Sequence, residues 1–469
     1  MENFNFWDSD VWGFFNLLAI LFLSLLAANV LKKVIPFLHY SLIPTSVLGG
    51  ILLLLVSLIY EGIAGTRFFD TAFFGGNGSG TLEILTYHAL ALGFIATTLK
   101  PSDGKMTKER SVEIFNTGAT TVATYLLQGV LGLGITLLAS LTVKGMFSAA
   151  GVLLPFGFGQ GTGQALNWGN VYETENGFVG GRSFGLTIAA LGFLSASVGG
   201  VIHLNILRRR GKILRDRNAS EKALSSEEIQ GSDEIPMNGS IDKLTFQLVL
   251  IFAVYLIAYL VMKVLGNLLP SLQSILYGFN FLFGVIFASV IKAFNNFLRK
   301  KKIVEKQYIN PFLMTRLSGL FFDLMIVAGV AAIRIDVLKN YWFVIVILAL
   351  VGALSTYFYN HFVAKTLFPG YTEEQFMVMY GMLTGTASTG IILLREMDPE
   401  FRTPAAENLV YQNFPAMIFG FPMMLLAAVA PDRPIFTLII LAAFFAVMNL
   451  ILFRSKIFSV RKKDGESSS

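Results

Sequence analysis

Apolar runs of spanning length, separated by short polar blocks, set the pattern of this chain. They fall near 11–31, 42–60, 84–99, 113–141, 183–207, 244–262, 275–293, 312–333, 342–364, 407–430 and 434–453. A helix needs about 20 apolar residues to cross the ~30 Å hydrocarbon core, so the pattern predicts about eleven spanning helices. The third run is short, which predicts a helix that breaks inside the membrane. Two further apolar stretches, 148–166 and 375–394, have centres rich in Gly and Thr. Each centre leaves limbs of about nine residues, which rise only ~14 Å at 1.5 Å per residue. Limbs of that length suit re-entrant hairpins that enter and leave on one side.

Basic residues orient these elements. With the N-terminus outside, the segments facing the cytoplasm hold 28 Lys and Arg and the external segments hold 7. That asymmetry is the positive-inside pattern, and it would collapse if either hairpin were a full span. The first basic residue is Lys32, so no cleavable signal peptide is expected at the start. The expected organisation is a first membrane repeat over 1–207 with its hairpin at 148–166, and a cytoplasmic linker over 208–243. A second repeat follows over 244–430 with its hairpin at 375–394, and 431–469 holds an extra helix and a cytoplasmic tail. Each repeat has five spans, an odd number, so the second is inverted relative to the first. The predicted fold is an all-α integral membrane protein of two inverted repeats plus one C-terminal helix, an architecture of secondary transporters. The expected location is the plasma (inner) membrane, with the C-terminus in the cytoplasm.

Composition sharpens this. Hydrophobic residues make up 54% of the chain and charged residues 14%, with mean hydropathy +0.64. A soluble domain of this length would carry more charge. The chain has 0 Cys, which excludes disulfides and thiolate metal sites. The net charge of +6 follows from cytoplasmic loops and does not imply a nucleic-acid partner.

The hairpin centres carry the candidate chemistry. The first reads Gly157-Phe158-Gly159-Gln160-Gly161-Thr162-Gly163-Gln164. Alternate glycines are poor helix formers, at about 1 kcal/mol each against Ala, and they let a backbone turn and present bare N–H groups to an anion. A small carboxylate is the natural partner, aided by helix N-termini; a Gly-rich packing seam is the other reading. The second centre, Gly381 to Gly390, contains Thr384, Gly385, Thr386, Ser388 and Thr389. Its hydroxyls and carbonyls suit both sodium and a substrate head group, or helix packing.

At these residues the sequence resembles a known family. Ile43-Pro44-Thr45-Ser46-Val47-Leu48-Gly49-Gly50 resembles the Ile-Pro-x-x-Val-x-Gly-Gly signature of the bacterial sodium/glutamate symporter (GltS) family, and Gly159-Gln160-Gly161-Thr162-Gly163 resembles its Gly-His-Gly-Thr-Gly. The order of spans, hairpins and linker is similar over roughly 11–430. Gln160 stands where the family has His, the second loop lacks the family's Gly-x-Gly-x-Gly-Ala-Thr-Pro, and the last helix is extra. The resemblance implies an elevator-type carrier, a homodimer, importing L-glutamate with sodium. Another organic anion, a di- or tricarboxylate, and a proton as coupling ion are the alternatives.

Other polar residues lie in apolar runs. Gln128 resembles a Gln of the family's fourth helix, as a substrate ligand or an interhelical bond. Thr97 and Thr98, with Thr386 and Ser388, are candidate oxygen donors to sodium. Asp323 is a candidate cation ligand or proton carrier, or an Asp paired with Arg316. Arg395 is a candidate partner for a second carboxylate, or a cytoplasmic anchor. Gly181-Arg182-Ser183-Phe184-Gly185 matches Gly-x-Ser-x-Gly, which raises an intramembrane serine protease. Its only helix-mate base is His203, ~30 Å along the same helix, so no enzyme is expected. No cofactor is implied beyond the coupling ion, and a channel would lack the coupled accumulation that separates carrier from pore.

Overall fold

The computed structural model describes residues 5–40, 42–100, 107–211, 242–270, 273–278, 280–304, 306–398, 402–454 and 456. Of the linker expected over 208–243, residues 212–241 lie outside them, as does the tail beyond 456. The described residues form helices and connecting turns, with no strand among them. Ten helices are long and apolar enough to cross a membrane, or eleven if Ala405–Tyr411 and the bent segment after it count as one. The protein is an all-α, multi-pass membrane protein. Its apolar outer faces agree: Leu23, Ile59, Leu256 and Phe358 are exposed, as side chains are whose solvent is lipid.

The chain divides into two units. Unit 1 comprises Met1–Ala28, Leu48–Lys105 and Asp216–Ala332. It holds α1 (Ser9–Val34, its last turns apart), α2 (Thr45–Ala64, its first three residues apart), α3 (Gly78–Leu99), α7 (Lys243–Leu268), α8 (Asn280–Lys300) and α9 (Pro311–Ala331). Its core joins Ile95 and Leu99 of α3 to Val254 of α7, Ala288 of α8 and Leu317 of α9. Small residues set the approach of helices. A Cβ on Gly50 would lie 2.6 Å from the Val330 side chain, and one on Gly49 would lie 3.2 Å from the Ser24 carbonyl. The Gly49-Gly50 pair is therefore a close-packing device within unit 1.

Contrary to the expectation of a short third span that breaks inside the membrane, α3 runs unbroken for 22 residues from Gly78. Its polar opening, Gly78-Ser79-Gly80-Thr81, hides the first turn from a hydropathy reading. Asp70 Oδ1 accepts the Ser79 N–H at 3.0 Å and satisfies one of that turn's open donors.

Unit 2 comprises Asn29–Val47, Met106–Arg215 and Ile333–Ser469. It holds α4 (Lys108–Ser140), α5 (Leu153–Thr174), α6 (Gly181–Arg209), α10 (Trp342–Leu367), α11 (Thr372–Thr384), α12 (Ala387–Arg395), α13 (Ala405–Tyr411), α14 (Asn413–Val429) and α15 (Pro434–Leu452). The C-terminal α15 is tied into this unit: Tyr359 donates to Asn449 Oδ1 at 2.8 Å, and Arg454, just past α15, donates to Asn116 Oδ1 at 3.1 Å.

Candidate functional site

Two helices of unit 2 break where the sequence concentrates Gly and Thr. In α5 the helix passes through Gly157 and Gly159 and breaks only at Gly161, at φ 78° and ψ −169°. Glycine is the residue that adopts this backbone without strain. Gly157 and Gly159 serve close approach, not turning, so the turn expected of the alternate glycines falls at Gly161. A Cβ on Gly159 would overlap the Tyr125 ring, and one on Gly157 would lie 2.9 Å from the Ala189 nitrogen. The two limbs fold back on each other: Phe156 stacks on Trp168 with ring centres 5.4 Å apart, and Phe147 lies 5.4 Å from Tyr172. The second break falls at Gly385-Thr386, between α11 and α12. These helices also double back, since a Cβ on Gly381 would lie 2.7 Å from the Gly390 Cα.

α6 shows how the two hairpins are disposed. The base of the first packs on its N-terminal end, where a Cβ on Gly169 would lie 2.5 Å from the Gly181 carbonyl. The base of the second packs on its C-terminal end, where Glu373 meets His203 Nε2 at 3.0 Å and Glu396 meets Arg208 at 3.2 Å. Both tips reach the middle. A Cβ on Gly192 would lie 2.5 Å from the Thr384 carbonyl and 3.0 Å from the Phe158 ring. From Gly181 to Gly192 is about 16 Å of helix at ~1.5 Å per residue. Two broken helices thus come from opposite ends of α6 and meet halfway.

Each break leaves carbonyls at the end of one limb and N–H groups at the start of the next. The starts at Thr162 and Ala387 carry positive partial charge, and the ends at Gln160 and Thr384 carry negative. No side chain caps the start of α12. Such a place can hold an anion and a cation side by side. Gln164, three residues past the first break, is 1% exposed, and neither its Oε1 nor its Nε2 has a hydrogen-bond partner. A buried unpartnered amide costs about 1–3 kcal/mol.

α4 borders the tips with a polar seam. Thr117, Thr121, Thr124 and Gln128 share one face of this helix and are buried. Tyr125 donates to the Gly159 carbonyl at 3.0 Å, and Gln128 Nε2 donates to the Leu383 carbonyl at 2.9 Å. Thr121 donates to Gln412 Oε1 at 2.9 Å, and Gln375 Nε2 donates to Thr117 Oγ1 at 3.2 Å. Asn360 and Thr356 of α10 meet the same seam.

Of the residues singled out in the sequence, Gly159, Gln160, Gly161, Thr162, Gly163 and Gln164 line or adjoin the first break. Thr384, Gly385, Thr386 and Thr389 line the second. Thr384 is buried with its hydroxyl on the Tyr380 carbonyl at 2.7 Å, and the Thr386 and Thr389 hydroxyls lie 3.4 Å apart. The side chain of Ser388 lies outside the described residues. Arg395 is exposed at the far end of α12, about 12 Å of helix from the break. Thr97, Thr98 and Asp323 belong to unit 1. The two threonines sit in an unbroken helix with hydroxyls on the Gly93 and Phe94 carbonyls, and Asp323 is exposed on α9. Ser183 and His203 occupy opposite ends of α6; Ser183 Oγ accepts the Arg334 N–H at 3.1 Å.

Sequence reading missed the seam of Thr117, Thr121, Thr124, Asn360 and Gln375. Its signal was present: polar residues at helical spacing inside an apolar run. The sequence matches no family model, and no curated protein matches it significantly.

Proposed function

We propose that this protein is a secondary active transporter that takes up a small carboxylate, L-glutamate or a related organic anion, in symport with sodium. The meeting of two broken helices at Gly192, with the unpartnered Gln164 amide three residues past the first break, carries this reading. Helix N-termini at both tips attract a carboxylate, and the carbonyl ends and hydroxyls beside them attract a hard cation. Paired breaks reached from opposite ends suit alternating access, in which each side of the membrane needs its own gate. The element order repeats as four spans, a hairpin and a span, which supports inverted repeats whose hairpins are re-entrant. The split into units takes the first three spans of each repeat into unit 1 and the rest into unit 2, as expected if unit 2 carries the site and moves in an elevator mechanism. The Ile43–Gly50 and Gly159–Gly163 motifs point to the GltS family and to a homodimer. The excess of basic residues in the segments assigned to the cytoplasm supports an N-terminus outside and a C-terminus in the cytoplasm, with the protein in the plasma membrane.

Uptake of a panel of labelled carboxylates into proteoliposomes tests this. Accumulation above equilibrium under an inward sodium gradient is expected. Equilibration without accumulation would make the protein a channel. Full accumulation in sodium-free buffer under a pH gradient would make the coupling ion a proton.

A further inference from the structure

Two side-chain amides on neighbouring helices are turned so that their oxygens are left over. Gln128 of α4 gives its Nε2 to Thr356 Oγ1 at 2.8 Å and to the Leu383 carbonyl at 2.9 Å. Asn360 of α10 gives its Nδ2 to the Thr356 carbonyl at 2.9 Å and to Thr124 Oγ1 at 3.3 Å. Backbone carbonyls only accept, so the nitrogen of each amide must face them; neither amide can be flipped without setting oxygen against oxygen. The free atoms are therefore Gln128 Oε1 and Asn360 Oδ1. Both residues are buried, at 0% and 1% exposure, and neither oxygen has a hydrogen-bond partner. Both amides are anchored on the same residue, Thr356, so the two acceptors lie in one neighbourhood between α4 and α10.

Two buried acceptors without a donor are unfavourable unless a water, another donor or a cation joins them. Their chemistry is that of a hard cation held by neutral oxygens. Among the described residues no group of three or more His, Asp or Glu could hold a metal ion, and a divalent ion generally takes carboxylates to offset its charge. A monovalent ion fits a neutral oxygen set.

We propose that Gln128 Oε1 and Asn360 Oδ1 are ligands of a sodium site between α4 and α10. The proposal deepens the transport reading and uses it only for the purpose of the ion. Sodium at Gln128 Oε1 polarises the amide and strengthens the bond from its Nε2 to the Leu383 carbonyl, the last turn of α11. Ion binding is thereby linked to the position of the second break. The site shares no residue with Thr97, Thr98 or Asp323.

The test is the melting temperature of the purified protein titrated with NaCl against choline chloride, without substrate. A saturable rise is expected for the wild type, with the half-saturating sodium concentration raised at least ~10-fold in Asn360→Leu. Asn360→Ser serves if the Leu variant does not fold, and Thr356→Val, which removes the hydroxyl that orients Gln128, should raise it ~3-fold. Three outcomes overturn the proposal. The wild type shows no sodium-dependent rise, as if water alone filled the place. The variants keep the wild-type midpoint. Or a rise occurs only with an amino-acid substrate, so that its ammonium group is the cation. Loss of uptake with sodium stabilisation intact would defeat the transport reading and leave this site standing.

Discussion

A Cβ atom on Gly192 of α6 would lie 2.5 Å from the carbonyl oxygen of Thr384, the last residue of α11. A backbone oxygen cannot swing aside as a side chain can, so any larger residue at 192 must push α6 away from the second break. Gly192→Ala is expected to cost about 1–3 kcal/mol of stability through overpacking. It should lower the initial uptake rate at least ~10-fold, because the displaced group adjoins both tips. Thermal unfolding and proteoliposome uptake measure the two effects. Wild-type uptake by a folded Gly192→Ala protein would remove the meeting point from the site.

Gly319 of α9 supplies the opposite sign. Nothing lies within 4 Å of where its Cβ would be, and its φ is not in the left-handed region. In a helix interior Ala is favoured over Gly by up to about 1 kcal/mol. Gly319→Ala should therefore raise the melting temperature slightly and leave uptake unchanged. A fall in stability there would mean that α9 packs against something at this position.

Asp398, in the turn after α12, predicts a pH dependence. Burial raises its pKa, but the N–H and hydroxyl of Thr403 and the N–H of Arg402, all at 2.7–2.8 Å, together with the Arg402 charge, bring it below the ordinary carboxylate value. A depressed folded-state pKa adds stability that is present above the unfolded-state value and is lost as pH falls through the folded one. Asp398→Ala should cost about 1–3 kcal/mol at neutral pH, since it strands charge-assisted bonds. The gap between variant and wild type should close in acid, below the ordinary carboxylate range. A gap that persists unchanged at the lowest pH would assign the loss to something other than this carboxylate.

The spans were legible because bilayer physics writes them into the chain as runs of apolar residues. The two helix breaks were legible as places where such runs carry Gly and Thr. Within the first, however, the sequence could not say which of four glycines turns the chain. Only Gly161 has the positive φ, and Gly157 and Gly159 are small because Ala189 and Tyr125 press against them. That distinction depends on neighbours contributed by other helices. The same holds for Thr97 and Thr98, whose hydroxyls return to their own helix in unit 1. Asn360 was invisible as a partner of Thr124 because they lie far apart in sequence and one bond apart in the fold.

Orientation in the membrane is open to a direct measurement. The chain has no cysteine, so single cysteines report their side without background. Under the charge asymmetry, Lys144→Cys between α4 and α5 faces outside and Gln230→Cys in the basic linker faces the cytoplasm. An impermeant thiol reagent applied to intact cells should label position 144 and spare position 230. The reverse pattern would invert the protein, and labelling at both would break the assignment of one intervening segment.

Gln164 separates ligand binding from packing. Its side chain is buried with both amide atoms unpartnered, so in the absence of a ligand it is a destabilising group. Leu has a similar volume and no polar atoms. If a substrate normally satisfies the amide, Gln164→Leu should raise the stability of the ligand-free protein by about 1–3 kcal/mol, the penalty relieved. Uptake should fall at least ~10-fold, since the lost bonds are those made to substrate. Added substrate should then stabilise the wild type in proportion to its saturation and leave the variant unmoved. Gain in stability with loss of function is the trade expected of a binding residue. A variant that is less stable than the wild type, and transports in proportion to the protein that remains folded, would instead make Gln164 part of the packing between α5 and its neighbours.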